Sequence, residues 1–150
     1  MTEPVPPPAA GAGIPGPADP FTLEVRVPYA HVDAMGVVYY AHYFVYFEMA
    51  RAHLMREAGL PYGELERRGV MLPVVAAHCD YRRPARFDDR LEIRMPLVEW
   101  RGMRLRIEYE VTRGDETLVT GYSEHVCVSK EGRLLRPLPE LRRFAELRRP

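Results

Sequence analysis

Strict alternation of apolar and polar residues predicts β-strands at two places in the chain. Residues 21–27 carry apolar side chains at every second position: Phe21, Leu23, Val25 and Val27. Residues 103–112 repeat this pattern: Met103, Leu105, Ile107, Tyr109 and Val111. Since successive side chains of a strand point to opposite faces, both segments are predicted to form strands with one face in the core.

Three further segments look extended: residues 69–87, 91–99 and 117–130. The second alternates Leu91, Ile93, Met95 and Leu97 with mostly polar residues, and Pro96 within it indicates an edge strand or a β-bulge. The motifs EWRG and RGDE predict turns between successive strands, and KEGR closes the last extended segment. The second half of the chain is therefore predicted to be an antiparallel meander of about four strands.

Residues 42–58 contain neither Pro nor Gly and are predicted to form one long helix that ends at Gly59 and Pro61. Its apolar residues recur at steps of three and four: Phe44, Phe47, Ala50, Leu54 and Ala58. Further apolar residues widen this face, so we expect the sheet to wrap around the helix. A short connector follows, and the segment PLPELRRFAEL at the end of the chain predicts a second helix. That helix is expected to dock through Leu138, Leu141, Phe144 and Leu147.

A strand, a long helix and then a series of strands is an order that favours an α+β fold, with one curved antiparallel sheet around a central helix. We expect a single domain over residues 21–150. The first 20 residues hold seven of the 15 prolines and lack Lys and Arg, which indicates a disordered arm rather than a signal peptide.

The formal net charge is zero, because Lys and Arg together number 21 and so do Asp and Glu. This argues against proteins that bind nucleic acid or acidic membranes through their overall charge. No overall field favours nucleic acid or an acidic membrane surface. The two cysteines, Cys79 and Cys127, lack the spacing of a zinc or redox pair, and no apolar run reaches the length of a membrane span. The expectation is a soluble cytoplasmic protein without a metal site.

The segment HVDAMGVVYY contains an acidic residue, Asp33, and a glycine, Gly36, directly before the long helix. Its spacing alone favours a turn or capping carboxylate. A carboxylate beside a helix N-terminus also has catalytic potential, since free N–H groups and the helix dipole stabilise developing negative charge. Tyr40 occupies the position where these N–H groups should begin.

Three motifs, VDAMGVVYYAHYFVYFEMAR, YRRPARFDDRLEI and VEWRGMRLRIEYEV, resemble those of the hotdog-fold acyl-CoA thioesterases of the 4-hydroxybenzoyl-CoA thioesterase type. The resemblance implies a homodimer or a homotetramer built as a dimer of dimers, active sites at subunit interfaces, and no cofactor beyond the CoA of the substrate. It implies that Asp33 acts on the thioester carbonyl, as nucleophile or as base for water. It also implies that Tyr40 offers its backbone N–H to the carbonyl oxygen.

The resemblance also implies substrate contacts. Gly36 lies where the backbone approaches the thioester, Met35 stands where relatives tend to carry Ala or Gly, and His42 stands where many carry Asn. Tyr40 matches the hydroxybenzoyl branch, whereas many short-chain relatives, including those coded beside the Tol-Pal envelope system, have His there. Arg101, in a turn that is basic in the hydroxybenzoyl branch, is the first choice for the CoA phosphates.

Several alternatives stay open from the residues alone. Glu48 is a second candidate carboxylate, because another thioesterase branch places its acid in the helix, although pairing with Arg51 or Arg56 is the simpler expectation. Arginines 82, 83 and 86 are further CoA candidates, unless they form salt bridges to Asp88 and Asp89. The alternative functions are an acyl-ACP hydrolase and a non-catalytic acyl-CoA sensor or scaffold on the same fold.

Overall fold

The computed structural model describes Asp19 and residues 21–147, without the side chains of residues 144, 146 and 147. The remainder of the predicted N-terminal arm, residues 1–18 and 20, lies outside the described residues, and so do the last three residues of the predicted domain.

Five strands form one antiparallel sheet, and three helices accompany it. In chain order the elements are β1 (Thr22–Arg26), α1 (His42–Glu57), α2 (Tyr62–Arg67), β2 (Val74–Tyr81), β3 (Arg90–Arg101), β4 (Arg104–Arg113), β5 (Glu116–His125), β6 (Cys127–Val128), β7 (Leu134–Leu135) and α3 (Pro139–Leu147). The sheet order is β1-β3-β4-β5-β2, and β6 and β7 form a separate two-stranded ribbon. This is the predicted α+β hotdog fold, with the sheet around the long helix α1.

The predicted meander is confirmed for β3, β4 and β5, which are joined by the two expected hairpin turns. It is wrong for β2, which pairs with β5 at the far edge of the sheet instead of standing next to β3. Sequence periodicity defines a strand but not its neighbour, because the pairing partner depends on long-range contacts. As a result, one side of β2 has no partner strand among the described residues.

The helix α1 begins at His42 as predicted, but its buried face is rotated from the predicted one. The buried residues are Tyr43, Tyr46, Phe47, Ala50, Leu54 and Met55. Phe44 and Ala58, which were predicted to be buried, are exposed. Two tyrosines replace them because their rings pack against each other at the start of the helix, with centroids 5.9 Å apart. Tyrosine rings can thus take core positions that a hydrophobicity pattern assigns to phenylalanine.

A β-bulge changes the inward face within β3. The register between β3 and β4 shifts between Arg94 and Leu97, as the position of Pro96 predicted. Met95 and Val98 are therefore both buried, three residues apart, while Leu97 is only half-buried. The prediction that Leu97 faces the core and Val98 faces outward is wrong, since one extra residue inverts the alternation.

The C-terminal helix docks through Leu138 and Leu141 as predicted, while the side chains of Phe144 and Leu147 lie outside the described residues. Leu141 of α3 is fully buried, and its carbonyl oxygen accepts a hydrogen bond from Trp100 Nε1 at 3.1 Å.

The helix α2 was not predicted. The connector after α1 contains the short helix α2, which follows Pro61 and is followed by Gly69 at φ +75°. These are ordinary start and stop signals, but six residues are too few to produce a recognisable apolar period.

A chain of polar groups crosses the core between α1 and the sheet. Arg51 donates to the hydroxyl oxygens of Tyr62, at 2.6 Å, and Tyr109, at 3.2 Å. The Tyr109 hydroxyl lies 2.7 Å from Ser123 Oγ, which lies 2.8 Å from His125 Nε2. His125 Nδ1 lies 3.2 Å from the Leu72 carbonyl oxygen, which can only accept, so Nδ1 carries a proton. Burial, with a smaller effect of nearby Arg51, lowers the pKa of His125 to about 4.

No helix among the described residues is both long and apolar enough to cross a membrane.

Candidate active site

Asp33 opens a tight turn directly before α1. The Gly36 N–H donates to the Asp33 carbonyl oxygen at 2.9 Å, and the Asp33 N–H donates to the Val37 carbonyl oxygen at 2.9 Å. Asp33 Oδ1 accepts from the Met35 N–H at 2.9 Å. Gly36 adopts φ +75°, a conformation that residues with a Cβ rarely take. The carboxylate thus closes its own turn with one oxygen, while Oδ2 bonds to no other described residue.

The strand-like segment after this turn fixes its orientation. Val32 and Val38 form an antiparallel bridge across the turn, and the Tyr39 N–H donates to the His31 carbonyl oxygen at 2.9 Å. On the other side, the Val38 N–H donates to the Ala85 carbonyl oxygen at 2.8 Å. The turn that carries Asp33 is therefore held by main-chain bonds on both sides.

Helix α1 begins without a side-chain cap. Ala41 is its N-cap residue and has no side-chain acceptor, and the His42 N–H donates to the Tyr39 carbonyl oxygen at 2.9 Å. Within residues 21–147, the Tyr40 N–H donates to no protein acceptor. The Tyr40 carbonyl oxygen instead accepts from the Tyr81 hydroxyl at 3.0 Å. A free N–H at the positive end of the helix dipole is therefore available to a ligand.

A cleft of about 310 Å³ brings Asp33 and Tyr40 together. The residues that line it are Asp33, Met35, Val37, Val38, Tyr40, Tyr43, Tyr81, Arg82, Arg83 and Pro84. Of the six predicted site residues, Asp33, Met35 and Tyr40 line this cleft. Gly36 completes the Asp33 turn without lining the cleft, and neither His42 nor Arg101 reaches it. Tyr81 was missed because its role depends on the position of β2, which no local signal reveals.

The basic residues at the cleft are not the predicted first choice. Arg101 lies in the exposed β3–β4 turn, where it pairs with Glu99, at the opposite end of the strands from the cleft. In its place, Arg82 and Arg83 line the cleft, Arg83 with an ion pair to Glu116 at 3.1 Å. The Arg82 side chain makes no ion pair with another described residue.

The salt bridges that sequence reasoning proposed for these arginines are not formed. Asp88 pairs with Arg26 at 3.2 Å, and Asp89 pairs with Arg113 at 2.7 Å. Both carboxylates are therefore occupied by arginines from elsewhere in the fold, and of the two cleft arginines Arg82 is left available for other anions, since Arg83 pairs with Glu116.

The second candidate carboxylate, Glu48, lies on the exposed side of α1 and outside the cleft of its own chain. Its expected pairing with Arg51 does not form, because Arg51 points into the core and binds two tyrosine hydroxyls. Glu48 likewise makes no ion pair with Arg56 among the described side chains.

Two imidazoles lie beside the site without lining it. The rings of His31 and His42 stack with centroids 4.3 Å apart, and His31 Nδ1 lies 2.8 Å from the Tyr46 hydroxyl. Burial, and to a lesser degree neighbouring His42, lowers the pKa of His31. In the part of the chain that the structure describes, no three His, Cys, Asp or Glu side chains form a group suited to a metal ion.

The other potential nucleophiles near the cleft remain protonated at neutral pH. Burial raises the pKa of Cys79 to about 11 and that of Tyr81 to about 12, and it also raises the pKa of Tyr43. Thiolate and phenolate nucleophiles are therefore scarce here, because each of these groups would have to ionise far above its usual pKa. Among the residues that line the cleft, Asp33 supplies the carboxylate.

Comparisons with known proteins agree with this geometry. The model of the thioesterase-like superfamily matches residues 27–145. The chain is 34% identical over 99 residues to the acyl-CoA thioester hydrolase YbgC of Escherichia coli, covering 66% of this chain and 74% of that protein. It is 30% identical over 122 residues to the 1,4-dihydroxy-2-naphthoyl-CoA hydrolase of Synechococcus elongatus, covering 80% and 90%.

A solved structure, that of the hypothetical protein TT1821 from Thermus thermophilus, superposes with a TM-score of 0.78 at 36% identity. The match covers 85% of this chain and 98% of that one. The family match spans the Asp33 turn, the long helix and four of the five strands of the sheet, β2 to β5. The chain therefore belongs to the thioesterase-like superfamily, and it is a hotdog-fold thioesterase.

Proposed function

We propose that this enzyme hydrolyses an acyl-CoA thioester to the free carboxylic acid and CoA. Asp33 attacks the thioester carbonyl carbon, or removes a proton from the water that does so. The Tyr40 N–H donates to the carbonyl oxygen as it becomes an oxyanion. YbgC is named an acyl-CoA thioester hydrolase, and the relative from Synechococcus elongatus is named a 1,4-dihydroxy-2-naphthoyl-CoA hydrolase. The proposal extends this activity to the present chain.

The observation that carries the proposal is the pairing of two unsatisfied groups in one cleft. Asp33 Oδ2 has no described partner, and the Tyr40 N–H has none either. Acyl transfer requires two elements in one cleft: a base or nucleophile, and a donor for the oxyanion. Removing one such donor typically costs about 3 kcal/mol of transition-state stabilisation, so its main-chain placement matters.

The leaving group needs little help. A thiol has a pKa of about 8.5, by analogy with cysteine, so CoA departs as a thiolate without a strong general acid at sulfur. In line with this, the thiol of Cys79 near the cleft and the hydroxyl of Tyr81 in its lining both have a raised pKa and are weak acids.

We assign the CoA phosphates to the basic side of the cleft. Arg82 and Arg83 lie at its edge, and guanidinium groups bind phosphate oxygens in a bidentate manner. Arg101 stays a candidate only as a residue of another copy of the chain, since it lies at the far end of the strands in its own. Arg82→Gln is expected to raise KM for acyl-CoA at least several-fold. A rise in KM in Arg101→Gln would show that Arg101 of a second copy also contributes to CoA binding.

We propose a homodimer, and a homotetramer would form when two such dimers pair through surfaces other than β2. The free edge of β2 exposes Val74, Val75 and Tyr81, and α1 exposes Val45 and Met49. An unpaired apolar edge strand favours pairing with a second copy. Light scattering should give twice the chain mass, and Val75→Lys should shift the protein toward the monomer. A monomeric wild type with full activity would refute this assembly.

The activity itself is tested by thiol release across short-chain, long-chain and aromatic acyl-CoA esters. Asp33→Asn should lower kcat by at least about a hundredfold, because it removes the nucleophile or base. Asp115→Asn is the matched control, since Asp115 lies in the β4–β5 turn outside the cleft and should retain wild-type kcat.

The same screen addresses the alternatives. Binding of acyl-CoA without thiol release would identify a sensor or scaffold. Turnover of acyl-ACP but not of acyl-CoA would identify a carrier-protein hydrolase. We further place the enzyme in the cytoplasm, in line with the two free thiols of Cys79 and Cys127.

A further inference from the structure

Two histidines flank the proposed catalytic groups in the chain and meet in space. His31 precedes Asp33 by two residues, and His42 follows Tyr40 by two residues. Their rings stack with a centroid distance of 4.3 Å and an interplanar angle of 29°. The hydrolysis mechanism proposed above uses neither imidazole, and neither one lines the cleft.

His31 is bound to the helix through its side chain and to the segment before the helix through its main chain. Its Nδ1 lies 2.8 Å from the hydroxyl of Tyr46, which is fully buried in α1. Its carbonyl oxygen accepts from the N–H of Tyr39, the residue directly before Tyr40, at 2.9 Å. His31 therefore joins the Asp33 turn to both sides of the helix start.

We propose that His31 and His42 are positioning residues that hold the Asp33 turn in register with the Tyr40 N–H. Their roles rest on the proposed function, because the geometry that they maintain is that of the carboxylate and the oxyanion donor. The stack spans the two ends of the segment between them, so its loss allows the turn to move relative to the helix. A displacement of about 1 Å between the Asp33 carboxylate and the Tyr40 N–H is expected to lower kcat with little effect on substrate binding.

The protonation state of His31 is set by the groups around it. These are the Tyr46 hydroxyl and the stacked His42, whose ring also packs edge-to-face with Tyr39. Burial raises the pKa of Tyr46 to about 12, so its hydroxyl keeps its proton and can donate it to a neutral His31 Nδ1. In a protonated His31, Nδ1 could only donate, so this hydrogen bond would reverse its direction, and neighbouring His42 disfavours the charged ring by lowering the pKa of His31. The stack is therefore strongest when His31 is neutral, and it weakens as the pH falls.

Kinetics of three variants test the proposal. His31→Ala removes both the stack and the hydrogen bond and should lower kcat on the order of tenfold or more, with KM within about twofold. His31→Phe keeps a stacked ring and should retain more kcat than His31→Ala. Tyr46→Phe removes the hydrogen bond to His31, so the pH of the acid limb of the kcat profile should change. His53→Ala, on the same helix but remote from the stack, should keep wild-type kcat.

The proposal is overturned if folded His31→Ala retains wild-type kcat, or if the acid limb stays at the same pH in Tyr46→Phe and His31→Phe. It is also overturned if the loss of kcat only follows the loss of folded protein, measured by circular dichroism in the same buffer.

A readout that needs no turnover separates this proposal from the proposed function. In the Asp33→Asn background, which removes the titration of that carboxylate, the amide resonance of Tyr40 is followed by NMR from pH 8 to pH 5. It should shift with the same midpoint as the His31 ring and lose that shift in His31→Phe. A Tyr40 amide that does not respond to His31 refutes the positioning role. A coupled amide in a protein without thioesterase activity refutes the proposed function alone.

Discussion

Tyr81, at the end of the edge strand β2, donates its hydroxyl to the Tyr40 carbonyl oxygen at 3.0 Å. The bond ties the free edge of the sheet to Tyr40, a residue that lines the cleft. Because burial raises the pKa of Tyr81 to about 12, this donor keeps its proton throughout the working range of the enzyme. The edge strand thus contributes to the active site through the orientation of one peptide unit.

Tyr81→Phe should lower kcat by roughly tenfold, because the Tyr40 peptide loses the contact that orients it. The free energy of unfolding should fall by only about 1 kcal/mol, since one exposed neutral hydrogen bond is lost. Steady-state kinetics and urea unfolding measure the two effects. Tyr122→Phe, on the same sheet but outside the cleft, is the control, and an equal loss of kcat in both variants would contradict the assignment.

Gly36→Ala should destabilise the protein by about 1 kcal/mol, because alanine is strained at φ +75°. A Cβ at Gly36 would meet no atom within 4 Å, so the cost is conformational rather than steric. Relaxation of the turn should also move Asp33 and lower kcat. Gly132→Ala, at φ +81° in the β6–β7 turn, carries the same strain. Gly132→Ala should lose as much stability as Gly36→Ala but keep wild-type kcat. An equal loss of kcat in Gly132→Ala would contradict the special role of Gly36.

Gly121→Ala should destabilise the fold by roughly 3 kcal/mol through overpacking. The added Cβ would lie 2.3 Å from the His78 carbonyl oxygen and 2.8 Å from a ring carbon of Phe47. The Phe47 ring has little room to move, because it stacks on Tyr109 with centroids 4.2 Å apart. Thermal unfolding measures the effect. Gly63→Ala, in α2 with open space around it, should be neutral or stabilising, and tolerance of both changes would contradict this packing.

His125→Gln should remove much of the loss of stability on acidification. The folded protein holds the pKa of His125 at about 4, below the ordinary 6.5, so the unfolded chain binds the proton more readily. Stability from the neutral imidazole is thus complete above about pH 6.5 and falls as the pH drops toward 4, by about 3 kcal/mol in total. Urea unfolding at pH 7, 5.5 and 4.5 compares the two slopes, and identical slopes would refute the assignment.

Much of the candidate site could be predicted because its signals are local. Asp33 and Gly36 belong to one turn, and Tyr40 lies at a helix start that the absence of Pro and Gly in the following residues defines. The family resemblance assigned roles to these residues, and the family itself is confirmed. Tyr81 was not predicted, and Arg82 and Arg83 were only further candidates behind Arg101, because all three reach the cleft through the placement of β2 at the sheet edge.

The sequence by itself determined the type of most elements and the position of the Asp33 turn, since alternation, helix period, prolines and glycines act within a few residues of one another. Only the tertiary structure decided that β2 pairs with β5, that the bulge at Pro96 exchanges Leu97 for Val98 in the core, and that His31 stacks on His42. It also placed Arg101 far from the cleft. These outcomes depend on which distant surfaces pack together, and the free energy of packing is a property of the whole core rather than of any local pattern.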